Sequence, residues 1–336
     1  MAAPPGFEPE ISASKADVLP LHYGASILGV IFQRTPETDI CNNLRFILKS
    51  QQRPVKAKRE SLKVIGKAIR PAECYNSADM KTLRISFLHI APVTNDIDHN
   101  RKLVEHGIKV AADQGARWVV TPELCIPGYL FMKTIGTDWI LPQPDSWMDR
   151  FRGLVKEYCL TVFLSHPERD PASDKMYNSV FVIDSDGEII GKHRKVKALG
   201  GAESWSTSGW KIDPIDCDGI KTGILICADG YKNEVAQVYK DKGAQLLVSP
   251  VAWGPGHCGP DGEWEARSSD TGLPLMVCNR SGNEEGELDY SLAESVVTIN
   301  GKRIIEATSK SSVVLSFNWD VDNMTMISED FERVYL

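Results

Sequence analysis

The chain has 336 residues, of which 42% are apolar and 25% charged, and its formal net charge is −7. That is ordinary globular composition, with enough chain to bury a core without disulfides or structural metal. The acidic balance argues against nucleic-acid binding, which needs a basic face, and no run reaches the roughly 18 consecutive apolar residues of a membrane span. The start, Met1-Ala2-Ala3-Pro4-Pro5-Gly6, lacks the charged-then-apolar order of a signal peptide, and Glu8, Glu10 and Asp17 do not suit a transit peptide. The eight cysteines are scattered and form no C-x-x-C pair. Their spacing fits neither a zinc site nor a thioredoxin-type motif; free thiols in a reducing, cytoplasmic compartment are the expectation.

Charge divides the chain. Residues 1–79 hold 11 Lys/Arg and 8 Asp/Glu, whereas the remainder holds 27 and 37. The first segment is interrupted by Pro4, Pro5, Pro9 and Pro20 and sustains no apolar period, so it reads as a disordered or mis-called N-terminal extension. At Met80 the character changes, and residues 80–336 read as the folded body. Leu83 to Ile90 alternates as a first strand, and a helix is predicted from Asp96 to Asp113, stopped by Gly115. Strands are predicted at 117–121, 160–165, 178–184 and 188–193, with a helix near 147–158 and a turn at Ser185-Asp186-Gly187. A strand over 221–227, a helix near 234–242, strands at 245–249 and 275–278, and paired strands at 291–299, 303–306 and 312–317 complete the body. Strands alternating with helices point to an α/β protein.

Three polar residues stand where apolar strands stop, a common place for active-site side chains in α/β folds. Glu123 follows Val119-Val120-Thr121-Pro122, Lys195 follows Gly191-Lys192-His193-Arg194, and Cys227 follows Gly223-Ile224-Leu225-Ile226. Taken singly, each has a plainer reading: a surface carboxylate, a solvated basic run, a buried small thiol. Together they supply a base for a thiol proton, a nucleophile, and a cation for a developing oxyanion.

These residues carry a resemblance to the nitrilase, or carbon–nitrogen hydrolase, superfamily across residues 80–336. The segment Thr121-Pro122-Glu123-Leu124-Cys125-Ile126-Pro127-Gly128-Tyr129 is similar to the family's P-E-x-x-x-x-G-Y around its general base. His193-Arg194-Lys195-Val196-Lys197 resembles R-K-x-H around its lysine, and Gly223 to Asp229 resembles G-x-x-I-C-x-D around its nucleophile. Asn178-Ser179 and Asn279-Arg280-Ser281-Gly282 add to the match, in the family's order. The resemblance implies a four-layer αββα sandwich, a homo-oligomer, and catalysis by Glu123, Lys195 and Cys227 without metal or organic cofactor. It further implies a second glutamate after the lysine, which Glu203 matches, and substrate positioning by Glu203, Ala228, Tyr129, Tyr231 and Trp253. The implied partner is a small amide or N-carbamoyl compound, not a nucleic acid or a membrane.

Two departures bear on the substrate. Cys227-Ala228-Asp229-Gly230-Tyr231-Lys232-Asn233-Glu234 stands where typical members read C-Y-D-x-R-F-P-E, so Tyr231 replaces an arginine that would pair with a substrate carboxylate. Lys197 replaces the histidine after the lysine. Ala228-Asp229 also differs from the C-W-E of true nitrilases, which favours an amide over a nitrile. The competing readings are a nitrilase, an acyltransferase, a non-catalytic binding protein of the same fold, and a thiol peroxidase. The loop holding His257 and Cys258 is expected to face substrate or solvent, and the acidic stretch Gly282-Asn283-Glu284-Glu285-Gly286 to be a solvated turn.

Overall fold

A computed structural model of the chain describes residues 81–256, 259–284 and 286–336. The expected extension over 1–79 and the His257-Cys258 pair lie outside these residues. Strand β1 (Thr82–His89) leads to helix α1 (Ile97–Asp113), β2 (Trp118–Val120), a short helix α2 (Met132–Ile135), α3 (Ser146–Glu157), β3 (Thr161–Arg169), β4 (Met176–Ile183) and β5 (Ile189–Arg194). The second half runs β6 (Ile215–Cys217), β7 (Ile220–Ile224), α4 (Asn233–Asp241), β8 (Leu246–Pro250), α5 (Glu263–Thr271) and β9 (Leu275–Cys278). A hairpin of β10 (Asn283–Glu284) and β11 (Leu288–Asp289) follows, then β12 (Ser295–Ile299), β13 (Lys302–Ala307), β14 (Val313–Asp320), β15 (Thr325–Met326) and β16 (Glu332–Tyr335).

The strands form two main sheets. One has the order β15-β14-β1-β2-β3-β4-β5 with β16 beside β14, and the other β13-β12-β9-β8-β7-β6. Alternation along each strand makes the layers. In β1 to β3, Ile85, Phe87, Trp118, Val120 and Phe163 turn toward the second sheet and pack with Ile224, Leu247, Met276 and Val296. Their neighbours Leu88, Val119, Val162 and Leu164 turn the other way, onto Val104 and Ile108 of α1 and Trp147 and Phe151 of α3. Val235 and Tyr239 of α4 and Trp264 of α5 pack with the second sheet's cluster. The result is the αββα sandwich that the resemblance implies. Each fully buried side chain of this kind contributes about 1.5–3 kcal/mol.

Local signals set the helix ends. Asp96 accepts a hydrogen bond from the His99 N–H at 3.0 Å, and Asp145 from the Met148 N–H at 2.8 Å, both as N-caps. Gly115, at φ +77°, takes the left-handed conformation just past α1. Two expectations change, and one helix is added. The strand expected to run to Cys227 ends at Ile224, and Cys227 opens a short 3-10 turn, Cys227–Gly230. The strand expected from Ser291 begins at Ser295. Helix α5 breaks the apolar period that would reveal it, because its buried face includes Arg267, Ser268 and Thr271. Among the described residues no helix is long and apolar enough to cross a membrane.

Candidate active site

Parallel β2 and β3 bring Thr121 beside Ser165. The Thr121 hydroxyl accepts from the Ser165 N–H at 2.9 Å, and the Ser165 hydroxyl accepts from the Leu124 N–H at 2.9 Å. This lock turns Glu123 off the strand end into the interior, where it is fully buried. Its Oε1 accepts from Lys195 Nζ at 2.8 Å and from Asn178 Nδ2 at 2.8 Å; its Oε2 accepts from the Ala252 N–H at 3.1 Å.

Lys195 directly follows β5 and is also fully buried. Its main-chain N–H is held by the Asn178 carbonyl at 2.8 Å, while its ammonium bridges Glu123 and Glu203, reaching Glu203 Oε1 at 2.5 Å. Glu203 ends a 3-10 turn, Gly201–Glu203, and its Oε1 accepts a second bond, from the Tyr129 hydroxyl at 2.7 Å. Its Oε2 has no hydrogen-bond partner among the described residues. Burial works to lower the Lys195 pKa, but the two carboxylates outweigh it and hold the ammonium well above its ordinary range. Burial pushes the Glu123 carboxyl up; the Lys195 charge opposes this and the Glu203 charge adds to it.

Cys227 sits at φ +47°, a left-handed conformation that costs a non-glycine residue about 1–3 kcal/mol and is found at functional turns. The thiol lies within electrostatic reach of Glu123, Lys195 and Glu203. Burial raises its pKa well above the ordinary value, with Glu123 adding and Lys195 opposing. The isolated thiol therefore stays protonated, and a thiolate requires a proton acceptor at hand.

The turn is clamped from behind by Asp229, which is fully buried. Its carboxylate accepts from the N–H groups of Ile226 (3.1 Å), Val196 (2.9 Å) and Lys197 (2.8 Å), and from His193 Nε2 (2.9 Å). With Nε2–H donating to a carboxylate, His193 Nδ1 accepts from the Tyr239 hydroxyl at 2.9 Å. One acid thus binds the Cys227 turn to both flanks of Lys195. In the sequence Asp229 stands only as a motif residue and a mark of substrate type, and Asn178 only as a motif residue; their partners are 33 and 55 positions away.

The remaining expected residues fall around this centre. Tyr231 is 42% exposed and stacks on buried Trp253, centroids 5.2 Å apart and planes 21° from parallel. Arg267 holds the carbonyls of Gly230 and Tyr231 at 3.1 and 3.0 Å. Ala228 is buried in the turn after Cys227. The acidic stretch 282–286 is not a solvated turn throughout. Glu284 is fully buried, pairs with Arg280, and accepts from the N–H groups of Tyr129 and Leu130 at 2.7 Å each. Its carboxylate is turned inward because two main-chain donors and a buried guanidinium meet it there. Gly128 is needed beside it: at φ +82°, an added Cβ would lie 2.9 Å from Thr94 Cα.

Residues 84–326 match the profile of the Carbon-nitrogen hydrolase family. The chain belongs to this family. Citrullinase of Francisella tularensis is 27% identical over 271 residues, covering 72% of this chain and 90% of its own. An omega-amidase of Xenopus tropicalis is 29% identical over 245 residues, covering 66% and 83%. In structure the carbon–nitrogen hydrolase is similar to an amidase from Nesterenkonia AN1, of the nitrilase superfamily, with TM-score 0.63 and 22% identity over 72% of this chain and 92% of that one. That likeness is one of fold.

Proposed function

We propose that this carbon–nitrogen hydrolase cleaves a small linear amide or N-carbamoyl compound through a thioester on Cys227. The observation that carries the reading is the buried ammonium of Lys195, bonded at once to Glu123 and Glu203 and within electrostatic reach of the Cys227 thiol. A site with two acids, one cation and one high-pKa thiol suits proton transfer during attack rather than a standing thiolate.

Glu123 takes the Sγ proton as the sulfur bonds to the carbonyl carbon. The oxyanion forms against Lys195 and the Ala228 N–H. As the carbon–nitrogen bond breaks, protonated Glu123 returns its proton to the nitrogen, and ammonia or an amine leaves. Water then gives a proton to Glu123 and attacks the thioester. The carbon–sulfur bond breaks, the acid leaves, and the sulfur recovers its proton. Glu203 and Tyr129 orient the substrate nitrogen and Lys195; Tyr231 and Trp253 form an aromatic wall for the rest of the substrate. An amide or ureido group is supported by the relatives, one named a citrullinase and one an omega-amidase. The reading extends to a cytoplasmic homo-oligomer, on the family resemblance and the free-thiol composition.

Product release from parallel panels of amides, N-carbamoyl amines and nitriles tests this, with Cys227→Ala as control. Turnover of amides or ureido compounds that vanishes in the variant is expected. Turnover confined to nitriles, or surviving in Cys227→Ala, contradicts it.

A further inference from the structure

The two oxygens of the Glu123 carboxylate are not equivalent. Oε1 receives two donors, Lys195 Nζ and Asn178 Nδ2, each at 2.8 Å, so both of its in-plane lone-pair directions are engaged. Oε2 receives the Ala252 N–H at 3.1 Å, from just past β8, the strand paired in parallel with the β7 that leads into Cys227. Both donors to Oε1 come from the first sheet, whereas the donor to Oε2 comes from the second, the sheet that carries Cys227, so Oε2 faces the thiol's side of the carboxylate and Oε1 the far side.

Asn178 is placed for this by the sheet. It lies on β4 between β3 and β5, opposite Pro167 on one side and one step from the Ser179–Arg194 pair on the other. Its carbonyl therefore holds the Lys195 N–H while its side chain reaches Glu123. The residue is 1% exposed, and its Oδ1 has no partner among the described residues. Leaving a buried acceptor unmatched costs about 1–3 kcal/mol, so this side chain is a poor choice for stability alone.

We infer that Oε2 is the oxygen of Glu123 that exchanges protons with Cys227, and that Asn178 is the positioning residue that enforces this by holding Oε1 away. The inference rests on the reading of Glu123 as general base. Without the Asn178 donor, Oε1 keeps only Lys195, the carboxylate is held less firmly about its last torsion, and its ionised form loses one hydrogen bond. Lys195 from the end of β5, Glu203 from its 3-10 turn, Cys227 from the turn after β7, Tyr129 from the loop before α2 and Arg280 from the loop after β9 also act on Glu123. All five remain in variants at position 178, so a change in Glu123 titration between variants reports on Asn178.

The test compares pH profiles of kcat/KM for wild type, Asn178→Ala, Asn178→Leu and Glu123→Gln. Both Asn178 variants are expected to lose about ten- to hundredfold in kcat, below the full worth of a general base, with KM little changed. Both should move the acid limb of the profile to higher pH by a similar amount, since both lack the donor. A packing role predicts instead that leucine, close to asparagine in size, is near wild type and alanine worse, with the limb unmoved in either. That result overturns the inference. Either variant carries the test if the other fails to fold. An active Glu123→Gln overturns the general-base reading itself, whereas an inactive one beside unmoved Asn178 profiles overturns only the role of Asn178.

Discussion

Two buried acids are reached by adjacent residues of β4, Glu123 by Asn178 and Glu168 by Ser179, and their surroundings drive them in opposite directions. Glu168 on β3 accepts from Ser179 Oγ at 2.9 Å, Lys192 Nζ at 2.5 Å and Arg194 Nε at 2.7 Å. Burial alone would raise its pKa, but the two cations hold it below the ordinary carboxylate range. Glu123 has one cation, shares it with Glu203, and ends above that range. The cations come from one basic run. Along β5 the side chains alternate, so Lys192 and Arg194 serve Glu168 while His193 and Lys195 turn to the opposite face. One acid between two cations is locked ionised. Two acids on one cation leave a carboxyl that can take and return a proton, which is what a shuttle between thiol and leaving group requires.

The largest effect expected from breaking this contrast is at Lys195. Lys195→Ala leaves Glu123 and Glu203 buried without their shared cation and removes the oxyanion's charge partner. Turnover should fall by about a thousandfold or more. Urea unfolding should show a stability loss of about 3 kcal/mol, as for a broken buried ion pair. Near-normal turnover would place the catalytic charge elsewhere.

Glu168→Gln should do much less. It should cost about 1.5–2 kcal/mol, toward the low end for hydrogen bonds to charged groups because glutamine keeps one acceptor, with kcat unchanged. The sign of its pH dependence follows from the lowered pKa. Ionised Glu168 contributes its full stability above the ordinary value of 4.5 and loses it as pH falls through the lower, folded-state value. Wild-type melting temperature should therefore drop more steeply than the variant's as pH falls below 4.5. A large loss of kcat would merge the two clusters into one site.

The fold and the three central residues were legible in the sequence for a simple reason. Glu123, Lys195 and Cys227 each follow an apolar strand, and each carries a reactive group in a short motif. What surrounds them was not legible, because it depends on contacts between distant segments. Asn178 meets Glu123 across 55 positions, Asp229 meets Val196 across 33, and Glu284 meets Leu130 across 154. Glu284 shows the difficulty best. Beside Asn283 and Gly286 it has the local character of a solvated turn, and only the buried Arg280 and the Tyr129 loop bring it inside. The backbone of Cys227 was hidden in the same way, since nothing in an apolar run announces that it will end three residues early in a left-handed turn.

In the proposed mechanism Cys227 carries the acyl group between the two half-reactions. Intact-mass measurement during turnover of the best amide tests it directly, with Cys227→Ala run in parallel. A mass gain on the wild type equal to the acyl group, mapped to Cys227 and cleared by water once substrate is spent, is expected. Turnover in Cys227→Ala, or an acyl adduct mapped to another residue, would contradict it.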